Sequence, residues 1–213
     1  MLSRKILLFL ELSVLFIALP AVLYIYRHSA GRLVIPIIIL LTLYTLPVVV
    51  SSGMLSMKNG SGLRDAPAFL KSRLLFFAAG SLAGITAIWL YNPHMLFAFP
   101  RENTLLWVIV MFLYPLLSAL PQEIIFRGFF FRRYSDILGR NALFALSGLL
   151  FGYAHIFYGN ITAPLLTAAG GLLFARTYLT TGSLALTVLE HALWGNLLFT
   201  IGIGSFFYHG NIR

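Results

Sequence analysis

The chain has 213 residues, of which 60% are hydrophobic and only 10% charged, against about 25% charged in an ordinary soluble domain. A soluble core of this length could not cover that much apolar side chain with so thin a polar shell, so composition excludes a soluble fold. The complete absence of cysteine excludes disulfides, thiolate catalysis and cysteine-ligated zinc. The net charge of +9 lies between hydrophobic runs rather than in a basic patch with interleaved aromatics, which reads as topology charge and not as a nucleic-acid surface.

Arg4-Lys5 precedes an apolar run from Ile6 to about Tyr26 that is longer than a signal-peptide core and lacks an A-x-A site, so an uncleaved first span is expected, with Pro20 tolerated inside it. A polar turn around Arg27-His28 leads to a second span over about Leu33–Val50. Ser51–Lys71, rich in glycine and charge, reads as the longest loop. A third span covers about Ser72–Tyr91. Asn92-Pro93-His94 breaks it, Met95–Asn103 is expected to skim the interface, and a fourth span runs from Thr104 into the segment at Pro121. The last three, about Asn141–Phe157, Ile161–Leu179 and Ser183–Ile203, carry small residues that permit close helix contact.

Each run approaches the roughly 20 residues needed to cross a bilayer. The expected fold is therefore all-α: a polytopic transmembrane helix bundle of about seven spans (six to eight), a single integral membrane domain over 1–213, with a polar cavity between the C-terminal helices. With the N-terminus inside, ten basic residues (Arg4, Lys5, Lys58, Arg64, Lys71, Arg73, Arg132, Arg133, Arg140, Arg176) face the cytoplasm and four (Arg27, Arg32, Arg101, Arg213) face out. That asymmetry favours a cytoplasmic N-terminus, and a bacterial plasma membrane is the expected location. No internal repeat supports an inverted-repeat transporter, and the prolines read as clustered in the first two spans rather than beside the polar residues.

Few ionisable residues fall inside the spans, and at membrane depth each costs at least about 2.5–3.5 kcal/mol near a helix centre, so function is their default reading. Glu11 stands apart and reads as a snorkelling or helix-contact residue. Glu123 and Arg127 are four residues apart, so they share a helix face about 40° apart. His155 closes Phe151-Gly152-Tyr153-Ala154-His155, and Glu190-His191 lies near mid-span. Three helices each bring a polar cluster, which facing one another around water would supply a base, a proton shuttle and an electrophilic donor. Two mechanisms are open. In one, Glu123 with His155 activates water and His191 with a nearby amide stabilises the oxyanion. In the other, His155, His191 and a carboxylate such as Glu123 hold a divalent metal such as zinc. No G-x-S-x-G or H-E-x-x-H signature is present.

These residues resemble the CAAX-protease and bacteriocin-processing (CPBP) intramembrane proteases, whose helices carry E-E-x-x-x-R, F-x-x-x-H and H-x-x-x-N. Gln122-Glu123-Ile124-Ile125-Phe126-Arg127 matches the first except that Gln122 replaces the leading Glu. Phe151–His155 matches the second in full. His191 opens the third, but position +4 is Gly195 and the asparagine follows at Asn196. The resemblance covers roughly 104–207, a CPBP-like catalytic core, with 1–103 as variable N-terminal spans. It implies a protease that cleaves a peptide or membrane-anchored protein substrate at the bilayer, with prenylated C-terminal tails as the eukaryotic substrates and either a glutamate or a metal mechanism.

Carried onto this chain, the resemblance makes Glu123, His155 and His191 catalytic. Glu123 is the base or its partner, His155 the co-base, and His191 the oxyanion donor or a metal ligand. Arg127 orients the carboxylate, and Gln122, Glu190 and Asn196 are supporting. A glutamine cannot serve as base, so Glu123 or Glu190 takes that role in an active enzyme. The alternatives are a non-catalytic relative that binds a membrane partner, and a transporter or scaffold. Asn196 is expected about 140° around its helix from His191, so an oxyanion role for it requires a local helix irregularity.

Overall fold

The structure, a computed structural model, describes residues 2–52 and 66–207. All regular elements among them are helical. Helix α1 runs from Leu2–Ser13 through a π-helical turn at Val14–Ala18 into Leu19–Ile25. Helix α2 is Val34–Ser51 and α3 is Ala66–Tyr91. A 3-10 turn at Pro93–Met95 and a short helix at Ala98–Glu102 lead into the composite helix α4, Thr104–Tyr134. Helices α5 (Arg140–Ala154), α6 (Thr162–Thr181) and α7 (Leu184–Ile201) complete the bundle.

Among the described residues, six helical segments are long and apolar enough to cross a membrane. Helix α6 is the remaining one of the seven expected spans; it has 20 residues, but its threonines and Arg176 dilute its hydropathy. It is held instead by close packing on α5. A Cβ at Gly148 would lie 2.9 Å from the Leu172 backbone nitrogen, one at Gly152 2.7 Å from the Pro164 carbonyl oxygen, and one at Gly171 2.9 Å from the Gly148 carbonyl oxygen. Small residues on both faces let the two backbones meet where larger side chains would hold them apart.

The structure corrects or refines the sequence reading in four places. Residues 66–71, expected in the long loop, form the first turns of α3, and Arg73, counted as a loop charge, lies within the helix and reaches Glu190 at 3.5 Å. Glu11, read as a snorkelling or helix-contact residue, is a helix contact: its carboxylate accepts from Arg133 Nε at 3.0 Å and Nη2 at 2.7 Å, joining α1 to the end of α4. Pro115 and Pro121 stand beside the polar residues of α4 rather than apart from them, yet the helix continues through both. Finally, within the segment expected to skim the interface, the short helix at Ala98–Glu102 packs on α4 and α7. Lys58, Arg64, Asp65 and the loop glycines 53, 60 and 62 lie outside the described residues, as do His209 and Arg213.

The core lies on the α1–α2–α4–α5 side. Phe16 of α1 meets Phe126 and Phe130 of α4 edge-on at 5.3 and 5.1 Å, and Phe126 meets Phe151 of α5 at 5.1 Å. Such aromatic pairs favour edge-to-face contact. On the other side of the bundle α3 leans on α7 through Trp194, whose ring packs on Phe77 at 5.0 Å and fills the space left by Gly80.

Candidate active site

Helix α4 sets the site, and its prolines set α4. Proline removes a backbone donor and crowds the carbonyl four residues earlier. Here the helix widens into π geometry at Pro115–Ala119, returns to α geometry over Leu120–Glu123, and widens again at Ile124–Phe129. Each π segment re-aims the residues beyond it, and such bulges recur at functional sites. The Met111 carbonyl, which Pro115 cannot bond in the helix ladder, accepts from Asn196 Nδ2 of α7 at 3.1 Å. Asn196 thus repairs the proline break, as neighbouring helices do in membranes.

Beyond the first widening, Glu123 and Arg127 are fully buried. Arg127 Nη1 donates to Glu123 Oε1 at 3.0 Å, and Nη2 donates to the Gly171 carbonyl of α6 at 2.7 Å. The guanidinium lies 4.9 Å from the Phe151 ring centre and 5.6 Å from that of Phe174, within the range of cation–π attraction. The close α5–α6 crossing is what presents the Gly171 carbonyl to Arg127.

The same Glu123 Oε1 lies 2.8 Å from His191 Nδ1. A carboxylate only accepts, so Nδ1 carries the proton and Nε2 is the bare nitrogen of the neutral ring. The His191 ring is clamped flat on Phe174 at 4.6 Å and edge-on to Phe151 at 5.5 Å. His155, at the end of α5, follows the same logic: its Nδ1 lies 2.7 Å from the Phe151 carbonyl oxygen, so Nδ1 donates and Nε2 is bare. Two imidazoles are therefore held in fixed tautomers, one backed by a carboxylate and one by a backbone carbonyl.

Both histidines line a cavity of about 670 Å³ bordered by α2 to α7. Its wall is mostly apolar, with Tyr114, Ser118, Gln122, His155, Tyr158, Thr167 and His191 among its polar groups. A smaller chamber of about 100 Å³ between α1, α2 and α4 shares Gln122, His155 and Tyr158 with the first. Glu123 and Arg127 do not line either chamber. Gln122, one residue earlier, does: its Nε2 donates to Ser118 Oγ at 2.8 Å, and its buried Oε1 has no hydrogen-bond partner among the described residues.

The structure thus brings Gln122, Glu123, Arg127, His155 and His191 together. Two further expected residues lie apart from the cavity wall. Glu190, one residue and so about 100° from His191, accepts from Thr177 Oγ1 at 2.5 Å and pairs with Arg73. Asn196 is spent on the Met111 carbonyl. Sequence reasoning missed Tyr114 and Ser118. Their signal was spacing, since Tyr114, Ser118 and Gln122 recur every fourth residue and so share one face.

The residues expected to hold a divalent metal do not assemble as a ligand set. Glu123 Oε1 is engaged by Arg127 and His191 together, and His191 turns Nδ1 to it. Among the described residues no three His, Cys, Asp or Glu side chains converge on one point. The chemistry offered by this arrangement is proton transfer at two bare imidazole nitrogens on the wall of an apolar chamber.

No curated protein and no solved structure matches the chain. Residues 102–197 match the model of a protease family described as type II CAAX prenyl endopeptidase Rce1-like. That stretch contains Gln122, Glu123, Arg127, His155, His191 and Asn196, the residues whose motifs carry the resemblance to the same protease family.

Proposed function

We propose that the protein is an intramembrane endopeptidase in which His191, backed by Glu123, activates water against a peptide bond of a membrane-associated substrate. The single observation that carries this reading is the Glu123–His191 bond, which fixes the imidazole tautomer with Nδ1 bound and Nε2 free on a histidine that lines the cavity. In this mechanism His191 Nε2 takes a proton from water as the oxygen bonds to the carbonyl carbon. Glu123 stabilises the resulting imidazolium, and Arg127 holds Glu123 in place. When the tetrahedral intermediate collapses, the C–N bond breaks and His191 returns the proton to the leaving nitrogen. Water is consumed and an acid and an amine are released. His155 Nε2, on the same wall, orients the water and shares its proton.

The family description and the apolar chamber support a lipidated C-terminal tail as substrate, its chain lying among the apolar wall residues while the peptide reaches the histidines. The basic-residue asymmetry supports a cytoplasmic N-terminus in a bacterial plasma membrane. The test is cleavage of an internally quenched, prenylated CAAX peptide by the purified chain in lipid nanodiscs. The expected result is turnover by the wild type and a fall in kcat of about 10²–10⁴-fold in His191→Ala and His155→Ala. Cleavage that persists unchanged in both variants refutes the reading.

Gln122 favours one second reading, a non-catalytic relative that binds its partner without cleaving it, because glutamine stands where the resemblance expects a carboxylate. If the wild type is silent and Gln122→Glu gains turnover, this second reading replaces the first.

A further inference from the structure

The cavity face of α7 has an opening that another helix fills. His191 and Gly195 are one turn apart and both line the chamber. A Cβ built on Gly195 would overlap the ring and hydroxyl of Tyr114 from α4. The phenol therefore occupies the space that the side chain of any other residue at 195 would take. Its ring is held edge-on between His191 at 6.0 Å and Phe199 at 5.3 Å, and its hydroxyl has no hydrogen-bond partner among the described residues. Asn196, the amide nearest in sequence, is turned to Met111 and is absent from the chamber wall.

Hydrolysis at His191 develops negative charge on the substrate's carbonyl oxygen, and that charge needs a fixed donor in a water-poor site. His191 Nδ1 is committed to Glu123 and His155 Nδ1 to Phe151, so neither bound nitrogen can supply it. We propose that the Tyr114 hydroxyl donates this hydrogen bond, from the place that Gly195 leaves vacant. Tyr114 is then a catalytic residue that touches the reacting oxygen, and Gly195 is its necessary complement. The assignment rests on the peptidase reading for its chemistry, but it can be measured without turnover.

The experiment uses the full chain in nanodiscs and a prenylated peptide whose scissile amide is replaced by a phosphinate, a tetrahedral anion. Tyr114→Phe keeps the ring contacts and removes only the hydroxyl. It is expected to weaken phosphinate binding by about ten- to a hundredfold. If the wild type cleaves the matching peptide, the same variant is expected to lower kcat by about 10²–10³-fold with little change in KM. A second pair covers the case in which Tyr114→Phe disturbs folding: Tyr114→Ala opens the space, and Gly195→Asn added to it places an amide donor there and restores binding relative to Tyr114→Ala alone. Equal phosphinate affinity in wild type and Tyr114→Phe, or no affinity in the wild type, overturns the proposal. Phosphinate binding that depends on Tyr114 without any peptide cleavage refutes the peptidase reading while the donor assignment stands.

Discussion

Replacing Arg127 by Met removes the cation from a pair in which both partners are fully buried. Glu123 then keeps only His191 Nδ1, and the Gly171 carbonyl loses its side-chain donor. Breaking a buried pair from one side costs about 3–5 kcal/mol, because the surviving charge stays dehydrated and unpaired. Glu123→Leu is expected to cost a similar amount by stranding the guanidinium. The double variant Glu123→Leu/Arg127→Met removes both charges and fills the space with apolar atoms. It is expected to cost less than either single change, about 1–3 kcal/mol, because the Gly171 carbonyl still lacks the side-chain donor that Arg127 supplied. The assay is unfolding in mixed micelles titrated with SDS, followed by the fluorescence of Trp89, Trp107 and Trp194. Peptide cleavage measured on the same samples should stay lost in the double variant, since nothing then backs His191. Single costs that simply add in the double variant would refute the claim that the two residues form one buried unit, and full cleavage by the double variant would refute the role given to Glu123.

Gly148→Ala forces the α5–α6 crossing apart against the Leu172 backbone; overpacking of this kind costs about 1–3 kcal/mol, to be read in the same unfolding assay. Because that crossing presents the Gly171 carbonyl to Arg127, the variant should also lose part of its turnover. Asn196→Ala orphans the Met111 carbonyl and is expected to destabilise by about 1–3 kcal/mol. At a temperature where the protein stays folded, its kcat should match the wild type; a loss comparable to His191→Ala would place Asn196 in the chemistry after all. Prolonged treatment with a divalent-metal chelator, followed by gel filtration, should leave cleavage unchanged, and activity that returns only with added zinc would overturn the proton-transfer mechanism.

Much of the fold was legible because the membrane leaves few choices. Runs of about 20 apolar residues must be helices, and buried polar residues must find one another. That is why Glu123, Arg127, His155 and His191 were recognisable as one cluster before any contact was known. Which neighbour faces the chamber was not legible. Gln122 and Glu123 differ by about 100° of helix rotation, and the π widenings around Pro115 and after Glu123 change that rotation in a way no regular periodicity predicts. The sequence reading set the prolines apart from the polar residues and so missed the element that aims them. Glu190 looked like a partner of His191 because it is adjacent in sequence, but adjacency on a helix points side chains in different directions. The start of α3 was hidden by Lys71 and Arg73, which look like loop charge until Glu190 is found opposite Arg73.

The partners of Glu123 and Arg127 also bear on how the protein enters its membrane. Arg127 needs the Gly171 carbonyl of α6, and Glu123 needs His191 of α7, and both are synthesised after α4. Left unpaired near the bilayer centre, the two charges would cost about 5–7 kcal/mol on insertion scales. Their four-residue spacing allows each to neutralise the other within the helix, so α4 can arrive in the bilayer as a zwitterion rather than as two separate ions. The bonds that remain are completed only when α6 and α7 dock. Assembly of this cluster therefore waits on α6 and α7, and the chain cannot present a finished site while those two helices are still being made.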